Sequence, residues 1–139
     1  MSKIVLTFGT FDLFHIGHLN ILERARAYGD KLIVGISSDK LNIEKKQRKP
    51  IYSFKERKQI IESLKCVDFV FCEESLEEKV NYCKQYNADL MVIGDDWKDK
   101  KSTNGKTFDQ LLEGVCEVKY LERTPSISTT EIIEKISTQ

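Results

Sequence analysis

The stretch Ile4-Val5-Leu6-Thr7-Phe8-Gly9-Thr10-Phe11-Asp12-Leu13-Phe14-His15-Ile16-Gly17-His18 decides the fold of this chain. Ile4 to Phe8 is short, apolar and strand-like. From Ile16 onward the residues Ile16, Leu19, Leu22 and Ala25 share one helical face, and the pattern stops at Gly29-Asp30. Between the two lie a glycine-containing turn, Gly9 to Asp12, and two histidines three apart. A strand that turns into a helix gathers free backbone N–H groups and the positive end of the helix dipole at one point, which favours anions. Imidazoles at i and i+3 share a helix face. Each can donate to a phosphate oxygen through Nδ1 or Nε2, and a protonated ring adds charge. An HxxH pair also arises on plain helix surfaces or in zinc sites, but zinc needs at least a third ligand. The other soft ligands, Cys66, Cys72, Cys83 and Cys116, form no CxxC pair. The order strand, turn, HxGH, helix therefore favours a phosphate site.

The same alternation continues outward. Lys31–Ser37 reads as a buried strand. Leu41 to Tyr52 is polar, basic and interrupted by Pro50, which predicts a loop or a short irregular piece. Ser53 is a good N-cap for a helix to about Lys65, with Phe54, Arg57, Ile61 and Leu64 at helical spacing. Phe69–Phe71 is a strand core, and Ser75 caps a helix through Tyr86. Leu90–Gly94 is another buried strand, Val118–Leu121 the last strand and Thr129–Ile136 the last helix. Strands alternating with helices predict an α/β fold with a parallel sheet covered on both faces. Ligands of such sheets lie outside the carboxyl ends of the strands, at a topological switch point. Gly9-Thr10, Gly94-Asp95-Asp96 and Arg123 each follow a predicted strand, so three distant segments are expected along one edge.

With 139 residues the chain is expected to form one domain over 1–139, long enough for a real core. Lys plus Arg and Asp plus Glu both number 22, which argues against bulk nucleic-acid binding but leaves room for a local basic pocket. The irregular cysteine spacing suits reduced, mostly buried thiols in a cytoplasmic protein. No basic-then-apolar leader opens the sequence, and no apolar run approaches the ~20 residues of a membrane span.

Three segments carry a resemblance. Gly9-Thr10-Phe11-Asp12 with His15-Ile16-Gly17-His18 resembles the GTFDxxHxGH signature of the HxGH nucleotidyltransferase superfamily. Arg123-Thr124-Pro125-Ser126-Ile127-Ser128-Thr129-Thr130 resembles the RTxGISTT signature of its cytidylyltransferase branch. Gly94-Asp95-Asp96-Trp97 resembles the GDDW of the glycerol-3-phosphate cytidylyltransferases. Each is moderately specific alone; together, in this order, they are highly specific, and the similarity runs from Ile4 to about Ile136. The resemblance implies a single Rossmann-like nucleotidyltransferase domain with a five-stranded parallel sheet flanked by helices. It also implies a CTP-dependent enzyme using Mg²⁺, a homodimer, and a role in teichoic-acid-like or capsular polymer synthesis. The acceptor would be glycerol 3-phosphate or a similar small phosphorylated alcohol, with no nucleic acid and no membrane insertion.

Carried over residue by residue, the resemblance gives His15 and His18 to the nucleotide phosphates and the transition state, with helix capping or packing as the alternative for His18. Thr10 and Phe11 offer turn N–H groups next to Gly9. Gly17 lets backbone and phosphate approach closely. Asp12 either caps the turn or lies near a metal. Arg123 is a planar, permanently charged fork for phosphate, and Thr124, Ile127, Ser128, Thr129 and Thr130 grip the triphosphate around a helix N-terminus. In the basic loop, Lys45 matches the lysine for the acceptor phosphate, and Lys46 or Arg48 contacts the nucleotide. Lys49 belongs to the same charge run, whose plainer reading is a solvated face. Arg57 matches an arginine directed at the site, or else snorkels along its helix. Lys79 matches a lysine for glycerol phosphate. Asp95 and Asp96 suit Mg²⁺ or ribose hydroxyls, and Trp97 packs beside the acceptor or the base.

The sequence departs from the pattern at Ser126, where the family usually has Gly. A left-handed backbone there would strain it by roughly 1 kcal/mol or more. Lys98–Thr107, with Asn104-Gly105 as a turn, is expected to be a mobile surface excursion. The residues also admit two rival readings. One is an adenylyltransferase acting on FMN or a sugar phosphate, against which the Arg123–Thr130 and Asp95–Trp97 segments argue. The other is a nucleotide-binding module without turnover, against which intact His15, His18 and Arg123 argue.

Overall fold

Strands and helices alternate as the pattern predicts. In the computed structural model, which describes residues 2–101, 105–125 and 127–139, the strands are β1 (Ile4–Gly9), β2 (Lys31–Ser37), β3 (Phe69–Glu73), β4 (Leu90–Gly94) and β5 (Glu117–Leu121). The helices are α1 (Ile16–Ala27), α2 (Asp39–Lys46), α3 (Phe54–Glu62), α4 (Lys79–Gln85), α5 (Phe108–Leu111) and α6 (Thr129–Ser137), with short 3-10 turns at Leu76–Glu78 and Asp95–Trp97. The five strands form one sheet in the order β3-β2-β1-β4-β5, and every pairing is parallel. The chain steps from β1 to β2 to β3 on one side and then crosses to β4 and β5 on the other. The switch point therefore lies between β1 and β4, and the crevice beyond their carboxyl ends is the expected ligand site.

Alternate residues of the central strands feed two cores. Val5, Leu32, Val34, Ile36 and Val92 pack on one face with Leu22 and Ala25 of α1 and Ile61 of α3. Leu6, Phe8, Ile33, Met91 and Ile93 pack on the other with Cys83 of α4 and Leu112 just after α5. The strands begin in register because aspartates accept from strand N–H groups. Asp89 takes the Ile4 N–H at 2.8 Å and Asp68 takes the Leu32 N–H at 2.8 Å.

Several expectations are corrected. The first half of the basic segment after β2, through Lys46, is a helix, α2, rather than a loop, while residues 47–52 around Pro50 are irregular as expected. Ser38 caps α2 by accepting from the Leu41 N–H at 3.0 Å, only Leu41 and Asn42 are buried, and Gln47 ends it in the left-handed region at φ 55°. So narrow a buried stripe gives little periodic signal in sequence. Ile16 does not share the buried face of α1 but is 56% exposed, because the first turn stands beyond the end of β1. The helix after Ser53 ends at Glu62, so Leu64 lies past it. Ser75 caps a 3-10 turn that leads into α4 instead of one continuous helix. Of the four free cysteines only Cys83 is buried, and the other three are half-buried. The expectations for Ser126 and for the Asn104 side of the Asn104-Gly105 turn lie outside the described residues. Among the described residues no helix is long and apolar enough to cross a membrane.

Candidate active site

The carboxyl ends of β1, β3 and β4 open into a cleft of ≈ 600 Å³. The turn after β1 forms its floor, with Phe11 and Leu13 held left-handed at φ 55° and 50°. Asp12 fixes that turn. Its buried carboxylate accepts from the backbone N–H groups of Ile51 at 2.8 Å, Tyr52 at 2.9 Å and Leu13 at 3.1 Å. The capping alternative raised by the sequence is thus what the geometry displays. Arg57 reinforces the same point from α3. Fully buried, its guanidinium donates to the carbonyls of Tyr52, Thr10 and Ser37 at 3.1, 3.0 and 2.8 Å and to the Asp39 carboxylate at 2.7 Å.

His15 and His18 form the capping box of α1. The Gly17 N–H donates to His15 Nδ1 at 3.0 Å, and the His15 N–H donates to His18 Nδ1 at 3.2 Å. Both Nδ1 atoms are therefore acceptors. A neutral ring in this arrangement carries its proton on Nε2, so each ring keeps one N–H donor free of the cap. The rings stack with centroids 3.7 Å apart and line the cleft. Burial, followed by the charges of His15, Lys46 and Arg123, pushes the pKa of His18 down to about 3. Burial and then Arg123 lower that of His15. Both shifts favour neutral rings, each with an Nε2 N–H donor. Gly17 is dictated by the same packing: a Cβ there would stand 2.8 Å from the His15 ring and 3.1 Å from Ile127.

Cations surround these donors. Lys45 and Lys46 reach the cleft from the last turn of α2, Arg48 from the segment after it, Arg123 from the end of β5 and Lys79 from the start of α4. Burial, only partly offset by Glu73, lowers the pKa of Lys45 to about 8. Burial also lowers that of Lys46. Ser128 caps α6 through the Glu131 N–H at 3.1 Å, and the Thr129 hydroxyl donates to the Asp12 carbonyl at 2.7 Å. This ties the segment 127–130 to the turn after β1. Asn20 donates to the Thr124 hydroxyl at 3.1 Å and anchors the stretch beside Arg123 to α1.

Gly9, Thr10, Phe11, Asp12, His15, Gly17, His18, Lys45, Lys46, Lys79, Asp96, Trp97, Arg123, Thr124, Ile127, Ser128, Thr129 and Thr130 all line the one cleft. Asp95 and Arg57 do not. Asp95 is exposed in the turn after β4, and Arg57 acts behind the wall. Sequence reasoning missed Asn42, which accepts from the Thr10 hydroxyl at 2.8 Å, and Glu73, which pairs with Lys79 inside the wall. No motif marks either; the one available signal is a carboxylate at the carboxyl end of a strand. Among the described residues no three His, Cys, Asp or Glu side chains converge as a metal cage.

A family model described as cytidylyltransferase-like matches residues 6–135. The glycerol-3-phosphate cytidylyltransferase of Bacillus spizizenii is 48% identical over 130 residues, 94% of each chain. That of Bacillus subtilis is 46% identical over 135 residues, 97% of this chain and 98% of its own. Among solved structures, a lipopolysaccharide core biosynthesis protein of Thermoplasma volcanium superposes with a TM-score of 0.68 at 22% identity, covering 89% of this chain and 98% of that one.

Proposed function

This chain belongs to the cytidylyltransferase-like family, and on that premise we propose that it transfers the cytidylyl group of CTP to glycerol 3-phosphate, giving CDP-glycerol and pyrophosphate. The observation that carries this reading is the stacked His15–His18 pair, whose Nδ1 atoms are committed to capping while both rings line a cleft ringed by cations. A phosphate oxygen of the acceptor attacks the α-phosphorus of CTP in line, and the bond from that phosphorus to the bridging oxygen of pyrophosphate breaks. The chain supplies no nucleophile for this; it supplies position and charge. His15 and His18 donate from Nε2 to the phosphoryl oxygens as negative charge grows. Arg123 and the N-terminus of α6, with Ser128, Thr129 and Thr130, hold the triphosphate, and Lys46 adds charge from α2. Lys45 takes the acceptor phosphate, and Lys79, paired with Glu73, helps bind the glycerol part of the acceptor. Asp12 and Arg57 position the turn that carries the histidines.

Magnesium fits the donor set as a nucleotide-borne ion. It binds through one or two carboxylates plus substrate phosphates rather than through a cage. Asp12 is spent on backbone N–H groups and Glu73 on Lys79, which leaves Asp96 at the lip of the cleft as the carboxylate for it. When bound, the ion would neutralise charge on the phosphates. Pairing of two copies accompanies this reading, and sedimentation showing only monomer at micromolar concentration would remove it. The function itself is tested by pyrophosphate release from CTP with and without glycerol 3-phosphate. Release should require the acceptor, and its absence would overturn the reading.

A further inference from the structure

Outside the phosphate contacts, the cleft wall contains a second constellation. Lys79 is 2% exposed and Glu73 1% exposed, and the two form an ion pair. Three rings surround the ammonium: Nζ lies 4.7 Å from the centroid of Phe8, 5.3 Å from Trp97 and 5.8 Å from Phe108. Several aromatic faces closing on one cation, with a carboxylate beside it, is the chemistry that recognises quaternary ammonium groups. Here the cation belongs to the protein. Phe8, Glu73, Lys79 and Trp97 all line the cleft, so the cage opens onto the substrate space and is filled from within.

We propose that Lys79 sets acceptor selectivity by occupying an aromatic cage, made of Phe8, Trp97 and Phe108 with Glu73 as counter-charge, that would otherwise take the quaternary ammonium of phosphocholine. The inference rests on the cytidylyltransferase reading of the cleft. With the cage filled, a cationic head meets a like charge and a shut aromatic box. The neutral hydroxyls of a polyol phosphate meet an ammonium that donates and a carboxylate that accepts. Truncating Lys79 to Ala removes Cγ, Cδ, Cε and Nζ, as many heavy atoms as a trimethylammonium group contains, and leaves Glu73 without its partner. A buried carboxylate stripped of its counter-ion demands a replacement cation.

Trp97 is the single tryptophan of the chain, so its fluorescence reports on the cage directly and without turnover. Titration with tetramethylammonium should give a saturable change in Lys79→Ala and none in the unsubstituted protein. The double variant Lys79→Ala, Glu73→Gln should lose at least about 10-fold of that affinity, since an aromatic cage without its charge keeps only the cation–π part. Tetramethylammonium should also raise the melting temperature of Lys79→Ala alone. In turnover, Lys79→Ala should move the ratio of kcat/KM for phosphocholine over glycerol 3-phosphate by at least about 10-fold toward phosphocholine. A folded Lys79→Ala that does not respond to tetramethylammonium would overturn the proposal. So would one that stays unfolded even in its presence, or an unsubstituted protein that uses phosphocholine as well as glycerol 3-phosphate. Failure of the unsubstituted protein to release pyrophosphate with glycerol 3-phosphate sinks the functional reading instead and leaves the titration to judge the cage.

Discussion

Two atoms, Nδ1 of His15 and Nδ1 of His18, decide what the histidine pair can do. Because each accepts from a backbone N–H of the same helix turn, both rings are locked by the fold and present Nε2–H as the remaining donor. Removing one donor aimed at growing negative charge typically costs ~10²–10³ in turnover. His18→Ala should therefore lose at least ~10² in kcat under saturating substrates while its circular dichroism stays that of the parent; near-normal turnover would remove His18 from the mechanism. Lys45 gives a prediction in pH. Its ammonium, lowered to about 8 by burial, is charged below that value and neutral above it. Attraction for the acceptor phosphate is thus present at lower pH and lost as pH rises through about 8. In profiles of kcat/KM for the acceptor, which report the free enzyme, an alkaline limb should appear near pH 8 and move upward in Lys45→Arg, whose guanidinium does not deprotonate. Lys45→Ala should cost ~1.5–3 kcal/mol of acceptor interaction, seen in the acceptor KM with little change in that for CTP. A profile that is the same in Lys45→Arg would show that another group titrates.

At the scale of elements, the strands and the helices that lie on the sheet were legible because their apolar periods are strong; β4 has the predicted boundaries, Leu90–Gly94. What escaped was α2, a polar helix with only Leu41 and Asn42 buried, whose Lys45 and Lys46 mimic a basic loop in sequence. The residues of the motifs were placed on the cleft, but Arg57 was aimed into it, since sequence cannot tell an arginine that touches substrate from one that holds the wall. The structure has it bridging α3, the end of β2, the start of α2 and the turn after β1 through four hydrogen bonds. Asp39 is half-exposed and stays solvated, but the buried carbonyls lose a charged donor, which typically costs ~1.5–3 kcal/mol. Arg57→Ala should show this as a lower midpoint in urea unfolding, together with a fall in kcat, because the histidine turn loses its support. An acceptor contact would instead leave stability intact and raise only the acceptor KM. That outcome would return Arg57 to the substrate.

For the whole molecule, the sequence pattern implied a parallel α/β sheet and three segments on one edge, but not the strand order. Non-local pairing of β1 with both β2 and β4 is set by packing, which no local period records. The order matters because the crevice between β1 and β4 brings Gly9–His18, Gly94–Trp97 and Arg123–Thr130 to one opening. Phosphate recognition follows from that architecture: backbone N–H groups, helix N-termini and cations bind any nucleoside triphosphate alike. The choice of base does not follow from it, because anion binding carries no information about the ring beyond the ribose. It must come from polar groups that pair with a cytosine edge, and the cytidylyltransferase-like segment at Arg123–Thr130 is the sequence-level sign that they are present. A site built to satisfy one base edge leaves buried donors or acceptors unpaired when a purine enters, at ~1–3 kcal/mol for each such group. CTP should accordingly exceed ATP and GTP by at least ~10-fold in kcat/KM, measured by pyrophosphate release at a fixed glycerol 3-phosphate concentration. If ATP is used equally well, the cleft reads phosphates without reading the base, and the enzyme is an adenylyl-competent transferase on the same frame.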